Sequence, residues 1–304
     1  MQTQINKVTR SVRLYLRPRL RKHPYFHQLS INVHRKYCIL TGFLHVLPNF
    51  YIIGAAKCGT SSLYEYLIYH PDVQPAVTKE VHFFDHYFEL GLNWYKVCFP
   101  LKLHKFFVQN LGKKKFITGE ASPRYIDHPN SPKRIKEITP EAKFIVLLRN
   151  PIDRAYSHYN MNVRQGIEPL SFEEAIEQQA KRTKDEFKKM EEDENYYSKP
   201  YFSYSYLERG IYINKLERWM KYFPKEQFLV LKSEDMFKKP NESYQQIVKF
   251  LNLSPWILKE YKHYRVGSYK KPLMNPETRQ QLHDFFKPHN EKLSKFLGKN
   301  FEWN

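Results

Sequence analysis

Phe50-Tyr51-Ile52-Ile53-Gly54-Ala55-Ala56-Lys57-Cys58-Gly59-Thr60-Ser61-Ser62 is the stretch whose reading decides the fold. The apolar run Phe50–Ile53 reads as a buried strand. Gly54 breaks it, and Thr60-Ser61-Ser62 opens a helical pattern that ends near His70-Pro71. A strand, a glycine-flanked turn and a helix N-terminus make an anion site, because unpaired backbone N–H groups and the helix dipole both favour negative charge. Lys57 adds a full positive charge inside the turn. A nucleoside-triphosphate loop places its lysine directly after the second glycine. Here Thr60 follows Gly59, and the lysine lies two residues before Gly59, which argues against ordinary ATP or GTP hydrolysis. The competing reading is a plain strand–helix turn with a solvated lysine.

Outward from this stretch, Lys143–Leu148 (K-F-I-V-L-L) reads as a second buried strand. Arg149-Asn150-Pro151 ends it, and Pro151 suits the first turn of the helix that follows. Arg149 therefore sits at the carboxyl end of a strand, where open α/β sheets bind ligands. Arg149 and Ser157 together offer a charged fork and a hydroxyl to one phosphate. The alternative pairs Arg149 with a carboxylate and leaves Ser157 to solvent.

Phe116–Glu120 reads as a short strand and Ser131–Ile138 as a short helix. Strand and helix alternate, so the fold class is α/β: a single domain with a central parallel sheet flanked by helices. Ser171 and Glu174 form a capping box that opens a helix through about Met190. Tyr204–Tyr222 reads as another helix, Phe228–Leu231 as a strand, and Asn241–Leu251 and Pro276–Leu297 as closing helices. The expected domain covers 49–304, preceded by a basic extension, 1–48.

The extension holds Lys7, Arg10, Arg13, Arg17, Arg19, Arg21, Lys22, Arg35 and Lys36 and no acidic residue. Ile5, Val8, Val12 and Leu16 fall on one helical stripe. Three readings stay open: a segment resting on an anionic membrane, an organelle transit peptide, or an extension packed on the core. The whole chain carries a formal net charge of +19, with a pI of about 9.6, and so attracts polyanions, anionic membranes or acidic small molecules. Cys38, Cys58 and Cys98 have neither disulfide-framework nor zinc spacing, which points to a reducing compartment. Neither a secretory signal nor an 18-residue apolar run is present, so the expected location is cytoplasmic, either free or at a membrane periphery.

Taken together, I-I-G-A-A-K-C-G-T-S-S-L-Y-E-Y-L and F-I-V-L-L-R-N-P-I-D-R-A-Y-S-H-Y resemble the 5′-phosphosulfate and 3′-phosphate loops of sulfotransferases that use 3′-phosphoadenosine 5′-phosphosulfate (PAPS). Lys79-Glu80-Val81-His82-Phe83-Phe84-Asp85 resembles the catalytic segment of the heparan sulfate branch, the glucosaminyl 3-O- and N-sulfotransferases. Gly119–Pro123, Arg209–Tyr212 and Gly267–Tyr269 extend the likeness, which runs from about Asn49 to Trp303. The resemblance implies a P-loop-like fold and PAPS as co-substrate, with no metal. It also implies a glycan or other hydroxyl- or amine-bearing acceptor, and no nucleic acid.

On these motifs, Lys57 stabilises charge on the leaving phosphate, and the backbone of Cys58, Gly59, Thr60 and Ser61 holds the 5′-phosphate, with Ser62 beside them. Arg149 and Ser157 take the 3′-phosphate, and Gly267, Ser268, Tyr269 and Lys270 form a late donor-binding loop. Glu80 matches the family's general base, supported by His82 and Asp85; His82 is itself an alternative base. The chain departs from the branch at Ala121, where those enzymes have an acceptor-binding lysine, and in lacking their C-terminal disulfide hairpin. Arg124 and Tyr125 are either substitute acceptor contacts or structural residues. Two competing functions are a nucleotide-dependent phosphotransferase and a non-catalytic polyanion-binding protein.

Overall fold

The computed structural model describes residues 36–262, 264 and 274–303. Five parallel strands form one sheet: β1 (Phe50–Gly54), β2 (Val73–Pro75), β3 (Ile117–Ala121), β4 (Lys143–Leu148) and β5 (Phe228–Lys232), in the order β2-β3-β1-β4-β5. Every residue of β1 is buried, as are five of the six in β4. Helices covering both faces require such unbroken apolar strands. The sequence reading missed β2, a three-residue edge strand that ends in Pro75, because it carries almost no apolar run.

The helices that frame the sheet are α1 (Thr60–Ile68), α2 (Ser131–Ile138), α3 (Pro151–Arg164), α4 (Tyr212–Met220), α5 (Pro240–Phe250) and α6 (Pro276–Leu297). Pro151 is in the first turn of α3, and the Asn150 side chain caps it by accepting from the Ile152 N–H at 2.9 Å. Two helical expectations need correction. The Ser171–Glu174 capping box forms, but the helix it opens stops at Glu177 and resumes as Gln179–Arg182 and Glu186–Glu192. Asp185, in a left-handed conformation at φ 60°, interrupts the run. Tyr204–Tyr222 likewise breaks at Arg209, whose side chain is drawn inward to Asp127 (2.9 Å) and the Phe202 carbonyl (3.0 Å). Buried pairing outweighs helical continuity there.

Residues 36–48 include a helix at 36–41 and a turn at Gly42–Leu44, tied to the body by the His45–Leu101 bridge. The rest of the basic extension lies outside the described residues, as does the loop Gly267–Lys270. Among the described residues, no helix is long and apolar enough to cross a membrane.

The chain builds from β1 to β2 and β3 on one side, then crosses to β4 and β5 on the other. The loops after β1 and β4 therefore diverge around a topological switch point. The close pairing of β1 with β3 depends on Gly119 opposite Phe50: a Cβ there would meet the Phe50 carbonyl oxygen at 2.5 Å and its ring at 2.6 Å. Gly119→Ala is accordingly expected to lower unfolding free energy by about 1–3 kcal/mol, read by denaturant titration; an unchanged midpoint would contradict this packing.

Candidate active site

The turn after β1 is held by its neighbours on the β4 side. Ala55 donates to the Leu147 carbonyl at 2.8 Å, the Ser233 hydroxyl to the Cys58 carbonyl at 2.8 Å, and Arg149 to the Lys57 carbonyl at 3.4 Å. The Tyr212 hydroxyl, at the start of α4, donates to the Arg149 carbonyl at 2.8 Å and lies 3.9 Å from the Cys58 sulfur. One phenol thus touches both phosphate-loop candidates. Lys57 has φ 74° and Gly59 φ 90°, so the turn passes twice through left-handed conformation. Gly59 fits there because a Cβ would meet the Phe237 ring at 2.7 Å. It is also the N-cap of α1 and supplies no side-chain cap, leaving the first N–H groups of the helix for an anion.

Charge is crowded at this point. Burial first, and then Arg164, Arg149 and Arg154, pull Lys57 down to about 8. The Arg154 guanidinium is buried in α3 and donates to the Tyr206 carbonyl, while Arg164 lies exposed at the far end of that helix. Such a field stores repulsion that a multiply charged anion relieves. Thr60 is buried, Ser61 half-buried and Ser157 half-buried on α3. Ser62 differs: its hydroxyl is 1% exposed and accepts from the Tyr264 N–H at 2.9 Å, fastening α1 to the chain just before the late loop.

On the β3 side, the segment 79–85 crosses the carboxyl end of the sheet. Glu80 donates its N–H to the Ala121 carbonyl (3.1 Å), and His82 donates its own to the Ser122 hydroxyl (3.2 Å). Glu80 (φ 63°) and His82 (φ 56°) are both left-handed, a strain that such anchors sustain. Their side chains form a charge-alternating row. The Lys79 ammonium contacts Glu80, the other Glu80 oxygen lies 3.5 Å from His82 Nε2, and His82 Nδ1 is 2.9 Å from Asp85. Burial alone would raise Glu80, but the His82 hydrogen bond and the Lys79 charge hold it well below the usual carboxylate range. Burial likewise opposes charge on His82, yet Asp85 and Glu80 together raise it to about 9.

Beneath this row lies Glu120 of β3, fully buried. It accepts from Tyr95 (2.6 Å), Ser122 (2.7 Å) and Tyr125 (3.0 Å). The Tyr125 oxygen in turn accepts the Phe83 N–H at 3.0 Å, as Ser122 accepts that of His82. The buried carboxylate therefore orients two hydroxyls whose lone pairs hold the segment 79–85. Burial, the dominant influence, raises its proton affinity, against the three hydroxyl bonds. Tyr125, also fully buried, is thus a scaffold residue, which decides between its two readings; Arg124 remains half-buried, bonded to the Tyr197 hydroxyl.

Sequence reasoning found the loops and the 79–85 segment but missed Glu120 as a hub, the Tyr212 hydroxyl, and Arg154 and Arg164. The two arginines left a local signal: Arg154 stands three residues before Ser157 and Arg164 seven after it, on one helix face.

Two outcomes are expected. Because an anion restores charge to Lys57, 3′,5′-adenosine bisphosphate should bind with proton uptake above about pH 8 and weaken as pH rises further; Lys57→Arg should abolish that slope. Titration calorimetry in buffers of different ionisation enthalpy measures it, and an equal slope in the variant would refute it. Glu120→Gln places donors against three donating hydroxyls, so it should cost about 1–3 kcal/mol of stability. Turnover should fall while bisphosphate affinity is kept; loss of affinity instead would mean the hub serves the donor loop.

Comparison with known proteins agrees with the geometry. A family model for the sulfotransferase domain matches residues 47–281. The chain is 28% identical to the membrane-associated sulfotransferase kil1 of Dictyostelium discoideum, over 88% of this chain and 69% of that one. It is 29% identical to human heparan sulfate glucosamine 3-O-sulfotransferase 5, over 90% and 78% of the two chains. The mouse 3B1 enzyme is also 29% identical, with 85% of this chain matching 65% of that enzyme's length. Among solved structures, a sulfotransferase from Alicyclobacillus acidocaldarius superposes with a TM-score of 0.64 at 30% identity, covering 85% of this chain and 99% of that one. With the family's domain spanning most of its length and the loops where that domain needs them, the chain belongs to the sulfotransferase family, whose enzymes transfer a sulfuryl group from PAPS.

Proposed function

We propose that the protein transfers the sulfuryl group of PAPS to a hydroxyl of a carbohydrate-like acceptor, with Glu80 as general base. The observation that carries this reading is the row Lys79–Glu80–His82–Asp85 at the carboxyl end of β3, beside the cation-crowded turn at the end of β1. Those strands are parallel neighbours, so donor loop and base candidate share one crevice.

The residues suit a multiply anionic donor: an uncapped helix N-terminus, the field that lowers Lys57, and Arg149 on the opposite loop. Bound there, PAPS supplies the sulfuryl group and a nucleotide phosphate as leaving group. Lys57 and the N–H groups of Cys58–Ser61 hold the 5′-phosphate and meet the negative charge that grows on it. Arg149 and Ser157 hold the 3′-phosphate, and Gly267–Lys270 belong to the same binding set by sequence.

The electrostatics favour Glu80 over His82 as the base. His82, raised to about 9, already carries its proton at neutral pH and cannot accept another. Glu80 is ionised throughout the working range, and its low proton affinity still suffices where a loose transition state releases the acceptor proton late. Asp85 orients His82, and His82 positions Glu80. Support for a glycan acceptor comes from the relatives named for heparan sulfate glucosamine. Ala121 is buried and paired with Ile52, so the acceptor's anionic groups need another cation; the candidate is Arg124, half-buried beside the Tyr197 hydroxyl.

Glu80→Gln should slow transfer from labelled PAPS by about 10²–10⁴-fold, with bisphosphate affinity unchanged by calorimetry. Turnover like that of the parent chain would remove Glu80 from the reaction.

A further inference from the structure

At the opposite, amino-terminal edge of the sheet lies a surface that the transfer reaction does not use. The short helix Lys102–Phe106 continues as a π-helical turn, Phe107–Leu111, and neither contains a buried residue. Leu103, Phe106, Phe107 and Leu111 instead face solvent, the last at 72% exposure. In the segment bridged to this one, Leu40 is 70% exposed and Phe43 59% exposed. The two segments are one surface: His45 and Leu101 form an antiparallel bridge, Val46 donates to the Pro100 carbonyl at 3.0 Å, and His45 Nδ1 donates to the Phe99 carbonyl at 2.6 Å. Almost half of the large exposed apolar side chains among the described residues come from 37–44 and 101–111. A soluble monomer rarely leaves so much apolar surface together.

A cavity of about 360 Å³ opens beside this patch, lined by Lys96, Lys102, Lys105, His45 and Phe116, with no carboxylate. None of the three lysines has an ion pair among the described residues. His45 is only 8% exposed, and its buried Nε2 has no hydrogen-bond partner. No Asp or Glu occurs from Leu90 to Gly119, a stretch that also holds Lys113, Lys114 and Lys115.

We propose that this face docks on an anionic phospholipid bilayer, with the apolar side chains entering the interface and a lipid phosphate in the lysine-lined cavity. Positive charge alone would suit a glycan or nucleic acid equally. The protruding leucines and phenylalanines decide for lipid, because they gain free energy only by leaving water, and basic rims around apolar tips are how peripheral proteins hold a membrane. Asn49 and Phe116, at the cavity, immediately precede β1 and β3, so the docked face lies at the end of the sheet away from the crevice. Docking leaves the crevice open to acceptor.

The experiment is flotation of the full chain with vesicles of phosphatidylcholine alone or with about one-third phosphatidylserine, at physiological salt. The parent chain should float only with the anionic vesicles. Binding should fall by about tenfold or more both in Leu103→Ser/Phe106→Ser/Leu111→Ser and in Lys96→Gln/Lys102→Gln/Lys105→Gln. Bisphosphate affinity and circular dichroism, unchanged in both variants, would show that fold and donor site survive. Three results overturn the proposal: no flotation of the parent, full binding by both variants (which would move the contact to residues 1–35), or lysine-dependent binding that ignores the apolar triple and is matched by soluble heparin.

Discussion

The buried Glu120 carboxylate is the constraint on which the reaction centre depends. Burial without a cation is costly, and three hydroxyl donors offset the loss of water. Their number matters less than their second task. Tyr125 and Ser122 spend their hydrogens on Glu120 and turn their lone pairs toward the N–H groups of Phe83 and His82. A segment with two left-handed non-glycine residues cannot be held by local preference, so its shape is imposed from the sheet below.

Charge supplies the other half of the site, and its two halves are built on opposite logic. Around Glu80 the charges alternate, so each is compensated where it stands. Around Lys57 they are all positive, and burial sharpens their repulsion. The first arrangement is complete without a ligand. The second favours an anion, whose charge would offset that repulsion. Tyr212 lets the two phosphate loops approach despite that repulsion by bonding the Arg149 carbonyl while resting near Cys58.

Much of this was legible in the chain because it is local. The strand–turn–helix at Phe50–Ser62, the proline-started helix after Arg149 and the closing helix Pro276–Leu297 each carry their own periodicity and breakers. What escaped was non-local. Tyr95 and Glu120 are 25 residues apart, and Tyr212 lies 154 from Cys58, so no pattern in either neighbourhood announces the pairing. The broken helix at Arg209 failed for the same reason, since Asp127 decides it from a distance. The choice between contact and scaffold for Tyr125 was likewise out of reach of the sequence, since only its burial decides for scaffold.

The sheet's polarity links the centre to the rest of the surface. In a parallel sheet all the carboxyl ends lie on one edge, which sets the loops after β1, β3 and β4 there. The opposite edge is left without catalytic duties and can carry a different chemistry. Here it carries Asn49 and Phe116 at a cavity whose lysines have no ion pair among the described residues, flanked by a helical turn with no buried residue. Stability does not explain an apolar turn that buries nothing, because solvent-facing leucines and phenylalanines contribute little to the fold they project from. A contact outside the chain does. Placed across the sheet from the crevice, that contact can hold the molecule without competing with either substrate.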